Sequence, residues 1–273
     1  MSRSVSETVA EAASVTGRLS IDHSSDKEKE PMPPLLSHLC TAKEVMEGWK
    51  QWHDKGSLPA VEFYSHKRGG RSSYSNFYPA SFRFTIPASV CSPDFLTSRR
   101  SMEVDVWNSE QAIMLCKAAS MGDLVAFDEM IITSDPAAVK ALGRNVFPFE
   151  EVIWERVVCT VAVEAIYQKF SQNKGIRGEL LETGDRLIAE ATTNDRVWGI
   201  GLNVGDRRCQ DPSQWKGSNL LGWALMEARG RLLQGRKKRP GKEDEQARCC
   251  QLHPGGQLHL RRRSSAAPKR AKG

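Results

Sequence analysis

Histidine is missing from the part of this chain where the apolar and polar pattern is best developed. The six histidines are His23, His38, His53, His66, His253 and His259, so none lies between residues 67 and 252. A Ser-His-Asp or Cys-His system would have to borrow its base from the flanks, and a histidine-built metal site has no material in the middle. The seven cysteines, at 40, 91, 116, 159, 209, 249 and 250, are scattered and form no CxxC pair. They support neither a disulfide framework nor a zinc ribbon, so a reducing compartment is expected and neither metal nor cofactor is called for. Long apolar runs are absent too: nothing approaches the ~18 uncharged apolar residues of a membrane span, and no membrane partner is expected. Residues 1–20 carry Glu7 and Glu11 and no continuous apolar stretch, so the chain reads as cytoplasmic or nuclear rather than secreted.

What is present suffices for a sizeable core. Of 273 residues 40% are hydrophobic and 26% charged, near the soluble globular average. The net charge of +6 is unevenly placed: residues 229–273 hold 14 Lys and Arg against 3 Asp and Glu, which leaves the rest at −5. The first 35 or so residues are rich in Ser, Glu and Lys and close on Pro31, Pro33 and Pro34, a composition that buries too little to offset chain entropy. Three regions follow: a mostly disordered stretch 1–57, one domain over 58–233, and a basic disordered tail over 234–273.

Within 58–233 the period-2 segments are short: Val61–Tyr64, Ser81–Phe84, Glu103–Trp107 and Leu187–Ala191. Helical segments are more extensive. Ser109 or Asn108 caps one that runs through Lys117, others cover Gly122–Ile132, Asp135–Leu142 and Gly178–Thr183, and a last one runs from Ser218 or Asn219 to Leu233. Phe149–Gln172 is the longest and is apolar around most of its girth, which predicts a central helix. The fold class expected is α+β: a mainly α-helical single domain with a few short strands.

Four constellations carry chemistry. Glu110 and Lys117 stand seven residues apart, on one face of a helix whose positive end favours a charged Glu110; an ordinary exposed pair fits equally. A strand ending at Glu190 leads into a polar turn with Asp195, then Trp198, Gly199 and Gly201. That loop offers a carboxylate beside an aromatic face for stacking, or only a turn aspartate and a core tryptophan. Gly217-Ser218-Asn219 opens a helix whose free N–H groups suit an anion, a weak signal. Ser72–Phe77 is a polar, aromatic loop able to bond a sugar or base edge, or to close an ST turn. Lys169 lies on an apolar stripe, where lysines usually snorkel outward and less often stay desolvated.

Taken in order, Tyr64, Ser75-Asn76-Phe77, Ser109-Glu110 with Lys117, Ala141-Leu142-Gly143-Arg144, Trp154-Glu155, Lys169-Phe170 and Leu180-Leu181-x-Thr183-Gly184 form a series. Glu190, Asn194-Asp195-x-x-Trp198-Gly199-x-Gly201 and Gly217-x-Asn219-x-Leu221-Gly222-x-x-Leu225-Met226-x-x-Arg229 continue it. The series resembles the NADAR family, the NAD- and ADP-ribose-related proteins, over residues 61–233. The resemblance implies a mainly helical α+β fold. It also implies cleavage of an N-glycosidic bond between a base-like amine and a ribose bearing phosphate or ADP. The substrate would be a small nucleotide-like phosphoribosylamino-pyrimidine, or ADP-ribosylated guanine, including ADP-ribosylated nucleic acid. The residues it points to are Glu110 and Asp195 with Lys117 for chemistry, and Trp154, Trp198, Asn76, Gly199 and Asn219 for substrate. Gln111, Ala112 and Met114 depart from the family's usual residues after the glutamate, which changes one wall of the expected site.

Breaking a ribosyl C–N bond creates an oxocarbenium-like centre that a carboxylate can stabilise while another activates water. Lys117 opens a second route, a Schiff base with an opened ribose. A binding module that recognises ADP-ribose or NAD without turnover is the alternative. The runs Arg236–Arg239 and Arg261–Arg263 suit nonspecific nucleic-acid contact through residues 236–273, a nuclear address, or solvation alone.

Overall fold

The computed structural model describes residues 41–51, 59–67, 70–99 and 101–237. The disorder expected over residues 1–40 and beyond 237 lies outside them. Helix α1 (Ala42–Lys50) falls inside the stretch expected to be mostly disordered and departs from that expectation. A capping box holds its start: the Thr41 hydroxyl accepts from Glu44 N at 3.2 Å and the Glu44 carboxylate accepts from Thr41 N at 2.6 Å. Its polar composition hides two apolar anchors, Val45 and Trp49, both buried. The Trp49 ring lies 5.2 Å from that of Trp215, and its Nε1 donates to the Ser218 carbonyl at 2.8 Å.

The strands form two separate pairs. β1 (Val61–Phe63) runs parallel to β4 (Ile188–Glu190), with Phe63 opposite Glu190. β2 (Phe82–Thr85) runs antiparallel to β3 (Glu103–Val106), with Phe82 opposite Val106 and Arg83 opposite Asp105. Alternation decides the faces: Phe82 and Phe84 are buried while Arg83 and Thr85 point outward. Between these strands lies α2 (Pro93–Ser98), capped by Ser92.

Helix starts follow their caps. Asn108, not Ser109, caps α3 (Ser109–Met121) by accepting from Gln111 N at 2.9 Å. Asp123 caps α4 (Leu124–Ile132), and Asp135 with Pro136 opens α5 (Pro136–Arg144). α6 (Glu151–Gln172) is central, as its apolar girth predicts, lying against α3 and α8 (Leu220–Lys237). α7 (Lys174–Leu181) starts four residues before the expected Gly178. Buried Ile176 and Leu180 anchor it, and that burial outweighs the low helix propensity of Gly175 and Gly178. The main core gathers Phe84 and Phe95 with Ile113, Leu115, Met130 and Val161.

Among the described residues the outer edge of β2 has no strand partner, and α6 covers it. Gln168 accepts from Thr85 N at 2.8 Å and donates to Thr85 O at 2.9 Å. Gln172 does the same for Arg83, at 3.0 and 2.8 Å. The two amide side chains satisfy the backbone groups that an edge strand otherwise leaves open.

Candidate active site

Glu110 stands in the first turn of α3. Its amide N donates to the Asn76 carbonyl at 3.0 Å, and the neighbouring Ser109 hydroxyl donates to Asn76 Oδ1 at 3.0 Å. Asn76 thus ties its loop to the helix start. Within that loop the Ser75 hydroxyl accepts from Phe77 N, an ST turn, and Lys169 donates from below to the Ser75 carbonyl at 2.9 Å. Lys169 is fully buried and does not snorkel.

Glu110 is 4% exposed. Its ion partner is not Lys117 but Lys140 of α5, whose Nζ lies 3.8 Å from Oε1. The reason is distance: seven helical residues rise ~10 Å, so residues two turns apart share a face without touching. Lys117 instead donates to the Gly143 carbonyl at 2.7 Å and lies 4.2 Å over the Phe149 ring. The helix-end position was expected to favour a charged Glu110, but burial outweighs it and pushes the carboxyl up to about 6. The positive charges of Lys140 and Arg144 oppose that rise, and Asp195 adds to it. Lys140 also faces the ring of Phe77 at 5.5 Å, and the His66 ring lies 5.7 Å from the same phenyl group.

The second wall is the end of β4. Ile188 and Ala189 are buried, and Glu190 follows them as a carboxylate at the end of an apolar strand. Burial is the main cause that drives its carboxyl up to about 8; the charges of Asp195 and Glu110 add to the rise and Lys140 opposes it. Oε2 of Glu190 is sealed from solvent and has no hydrogen-bond partner among the described residues. Three carboxyls from α3, β4 and the following loop therefore lie within one another's fields, with Lys140 the cation common to Glu110 and Glu190.

The loop after β4 is braced from inside. Asp195 Oδ1 accepts from Val197 N at 3.0 Å and Trp198 N at 2.8 Å, which fixes that carboxylate and the tryptophan together. Trp198 and Trp154 of α6 are both half-buried, packed against the main core. The start of α8 is not an open anion site. Ser218, Asn219, Leu220 and Leu221 donate their N–H groups to the carbonyls of Arg196, Gly199, Val197 and Trp198. Asn219, fully buried at φ 51°, bridges to β4: Oδ1 accepts from Glu190 N at 3.0 Å and Nδ2 donates to Ile188 O at 2.8 Å. Close approach needs glycine twice. A Cβ at Gly199 would come within 2.8 Å of the Glu190 carbonyl, and one at Gly222 within 2.1 Å of the Ile188 carbonyl.

Of the residues singled out in the sequence, Glu110, Asp195, Trp198 and Gly199 thus border one place, with Asn76 and Asn219 bracing it from behind. Lys117 is engaged elsewhere. Gln111, expected as an altered wall, turns to the end of α4, where Nε2 donates to the Met130 carbonyl at 2.8 Å. Glu190 stands in the motif series but was given no role at the site, and Lys140 was not singled out. A carboxylate closing an apolar strand was the available signal for the first; nothing but its spacing from Arg144 marked the second. A groove of 690 Å³ lies elsewhere, between β2 and α6, lined by Thr85, Pro87, Arg156, Tyr167 and Gln168, and none of the three carboxylates lines it. Among the described residues no group of three or more His, Cys, Asp or Glu side chains is placed to hold a metal ion, and no helix is long and apolar enough to cross a membrane.

Residues 62–233 match the NADAR domain family. Protein irg-1 of Caenorhabditis elegans is 34% identical over 161 residues, which cover 58% of this chain and 74% of that protein. N-glycosidase R617 of Acanthamoeba polyphaga mimivirus is 38% identical over 122 residues, 45% of this chain and 72% of that one. The solved structure of the E. coli protein YbiA aligns with a TM-score of 0.49 at 22% identity, covering 69% of this chain and 95% of that one.

Proposed function

Because this chain belongs to the NADAR family, we propose that it is an N-glycosidase, hydrolysing the C–N bond between a base-like amine and a phosphorylated or ADP-linked ribose. The observation that carries this reading is the meeting of Glu110, Glu190 and Asp195, with the ammonium of Lys140 facing both glutamates. As the C–N bond lengthens, positive charge grows at the anomeric carbon, and a preorganised, desolvated carboxylate stabilises it. Glu110 is that carboxylate, with Lys140 and Arg144 favouring its ionised form. Asp195, clamped by the Val197 and Trp198 amides, faces the same space and orients the attacking water. Trp198 and Trp154 supply flat apolar faces for the base. Asn76 and Asn219 position the helix start and the strand end, and Gly199 lets the loop close over Glu190. Lys117, held on the Gly143 carbonyl, favours direct hydrolysis over a Schiff base.

The substrate class is an ADP-ribosylated guanine or a phosphoribosylamino-pyrimidine. Incubating the purified chain with each decides. Release of free base and free ribosyl product supports the enzyme. Saturable binding without product overturns it and assigns the chain to the binding modules. Residues 236–273 carry the basic excess that suits a nucleic-acid partner. Removing them should abolish salt-sensitive DNA binding and leave turnover of a nucleoside-sized substrate unchanged; equal DNA affinity in both forms would end that part of the reading.

A further inference from the structure

Glu190 holds the one sealed carboxyl oxygen with no partner among the described residues; the other unpartnered buried side-chain atom is the uncharged indole nitrogen of Trp223. A sealed carboxylate oxygen with nothing to bond is a standing cost, and a proton on the carboxyl lowers it by removing the charge. The backbone of the residue is held in place. Its amide N is held by Asn219 Oδ1 at 3.0 Å and its carbonyl O by Ile200 N at 2.8 Å, so both backbone groups are clamped. The Gly199 Cα lies so close beneath that no side chain fits there.

The groups that face Glu190 come from each element around it. Asp195 lies on the following loop, Glu110 on α3 and Lys140 on α5. From β1 its register partner is Phe63, and from α8 its neighbour is Asn219; neither titrates. Two anionic neighbours and exclusion from water set against one ammonium favour the neutral acid. Glu110, with the same ammonium 3.8 Å away and Arg144 also in reach, favours the anion far more. Two carboxyls in one site are thus driven apart in proton affinity, the pattern by which acid and base roles are divided between like groups.

We propose that Glu190, in its protonated form, is the catalytic acid that protonates the departing base nitrogen. The proposal rests on the hydrolytic reading of the site and assigns its second half. The anomeric C–N bond breaks with its electron pair passing to nitrogen, and the Glu190 proton goes to that nitrogen to release a neutral amine. Water adds to the anomeric carbon and gives one proton to a neighbouring carboxylate, and Glu190 regains a proton from solvent. An amine attached to a heterocycle is a poor leaving group as an anion, so this proton is where the chemistry needs help.

The test compares wild type with Glu190→Gln on ADP-ribosylated guanosine, across pH. We expect kcat to fall 100-fold or more, within the range for losing a general acid. The alkaline limb of the wild-type pH–rate profile, placed near pH 8, should vanish in the variant. Retention of that limb, or a loss under fivefold, overturns the role of Glu190 while leaving the hydrolase standing. No turnover by wild type on this or any ribosylamine overturns both. If the variant does not fold, wild-type rates over a series of N-aryl ribosylamines decide. A flat dependence on amine basicity supports an acid that has already supplied the proton, and a steep one overturns it.

Discussion

Lys169 is an ionisable group taken wholly out of water and Glu190 one taken only partly out, and the fold treats them in opposite ways. Lys169 lies under the 72–78 loop with its ammonium on the Ser75 carbonyl at 2.9 Å and the rings of Tyr78 and Phe170 5.6 and 5.4 Å away. Its cation has an acceptor and two aromatic faces, and it holds one loop on one helix. Glu190 ends a strand with a clamped backbone and a carboxyl oxygen that bonds nothing among the described residues. The difference separates two uses of burial. A partnered buried charge braces the structure, whereas an unpartnered one beside other titrating groups marks a place for a ligand.

The sharpest way to break that comparison is at Glu110. Glu110→Gln keeps shape and removes charge, so kcat should fall by ~10²–10³ or more with little change in melting temperature. Its removal should also erase the acid limb of the pH–rate profile near pH 6. Near-normal turnover in a folded Glu110→Gln protein would move the chemistry elsewhere. On the same side of the comparison, Trp198→Ala should weaken binding of a nucleotide-like product by ~1–3 kcal/mol, measured by calorimetry. Because Trp198 also packs on the core, some loss of melting temperature accompanies it; loss of stability with unaltered affinity would return Trp198 to a packing role.

Stability against pH sharpens the contrast. Burial raises the Glu190 carboxyl from 4.5 to about 8, so the folded state holds a proton that the unfolded state has lost. Its contribution is complete below about pH 4.5 and disappears as pH rises through 8. Burial lowers Lys169 from 10.5 to about 7, so the unfolded state holds the extra proton and stability climbs with pH between those values. Thermal melts should show Glu190→Gln flattening the first window and Lys169→Met the second. An interchange of those windows would refute the assignment. The smallest effect belongs to Gln168→Ala, which leaves the Thr85 backbone groups to solvent and should cost ~1 kcal/mol in chemical denaturation.

Most element positions follow from local patterns. Caps at Asn108, Asp123 and Asp135 and the alternation through Phe82 and Phe84 place helices and strands within a few residues of where they lie. The pairing of β1 with β4 across more than a hundred residues has no local signature. α1 does have one, the Thr41–Glu44 capping box, in a polar stretch that hides only two buried residues. The site was half visible. Glu110 and Asp195 stand out beside helix starts and turns, because those positions have recognisable chemistry. Lys140 acquires its meaning only when α5 packs against α3, and Glu190 only when its oxygen is enclosed. The N–H groups that open α8 looked available because a sequence does not disclose which carbonyls will fold over them.

The paired glutamines on α6 work as a ruler. Gln168 and Gln172 are one helical turn apart, ~6 Å along the axis, while Arg83 and Thr85 are two strand residues apart, ~7 Å. The two spacings agree closely enough for both amides to seat at once. Sliding α6 by a single residue would unseat both, so the strand sets where the helix stops along its own length. Trp154, fourteen residues back on the same rigid rod, inherits that setting. The β2–β3 pair thereby calibrates the depth at which an aromatic ring is delivered.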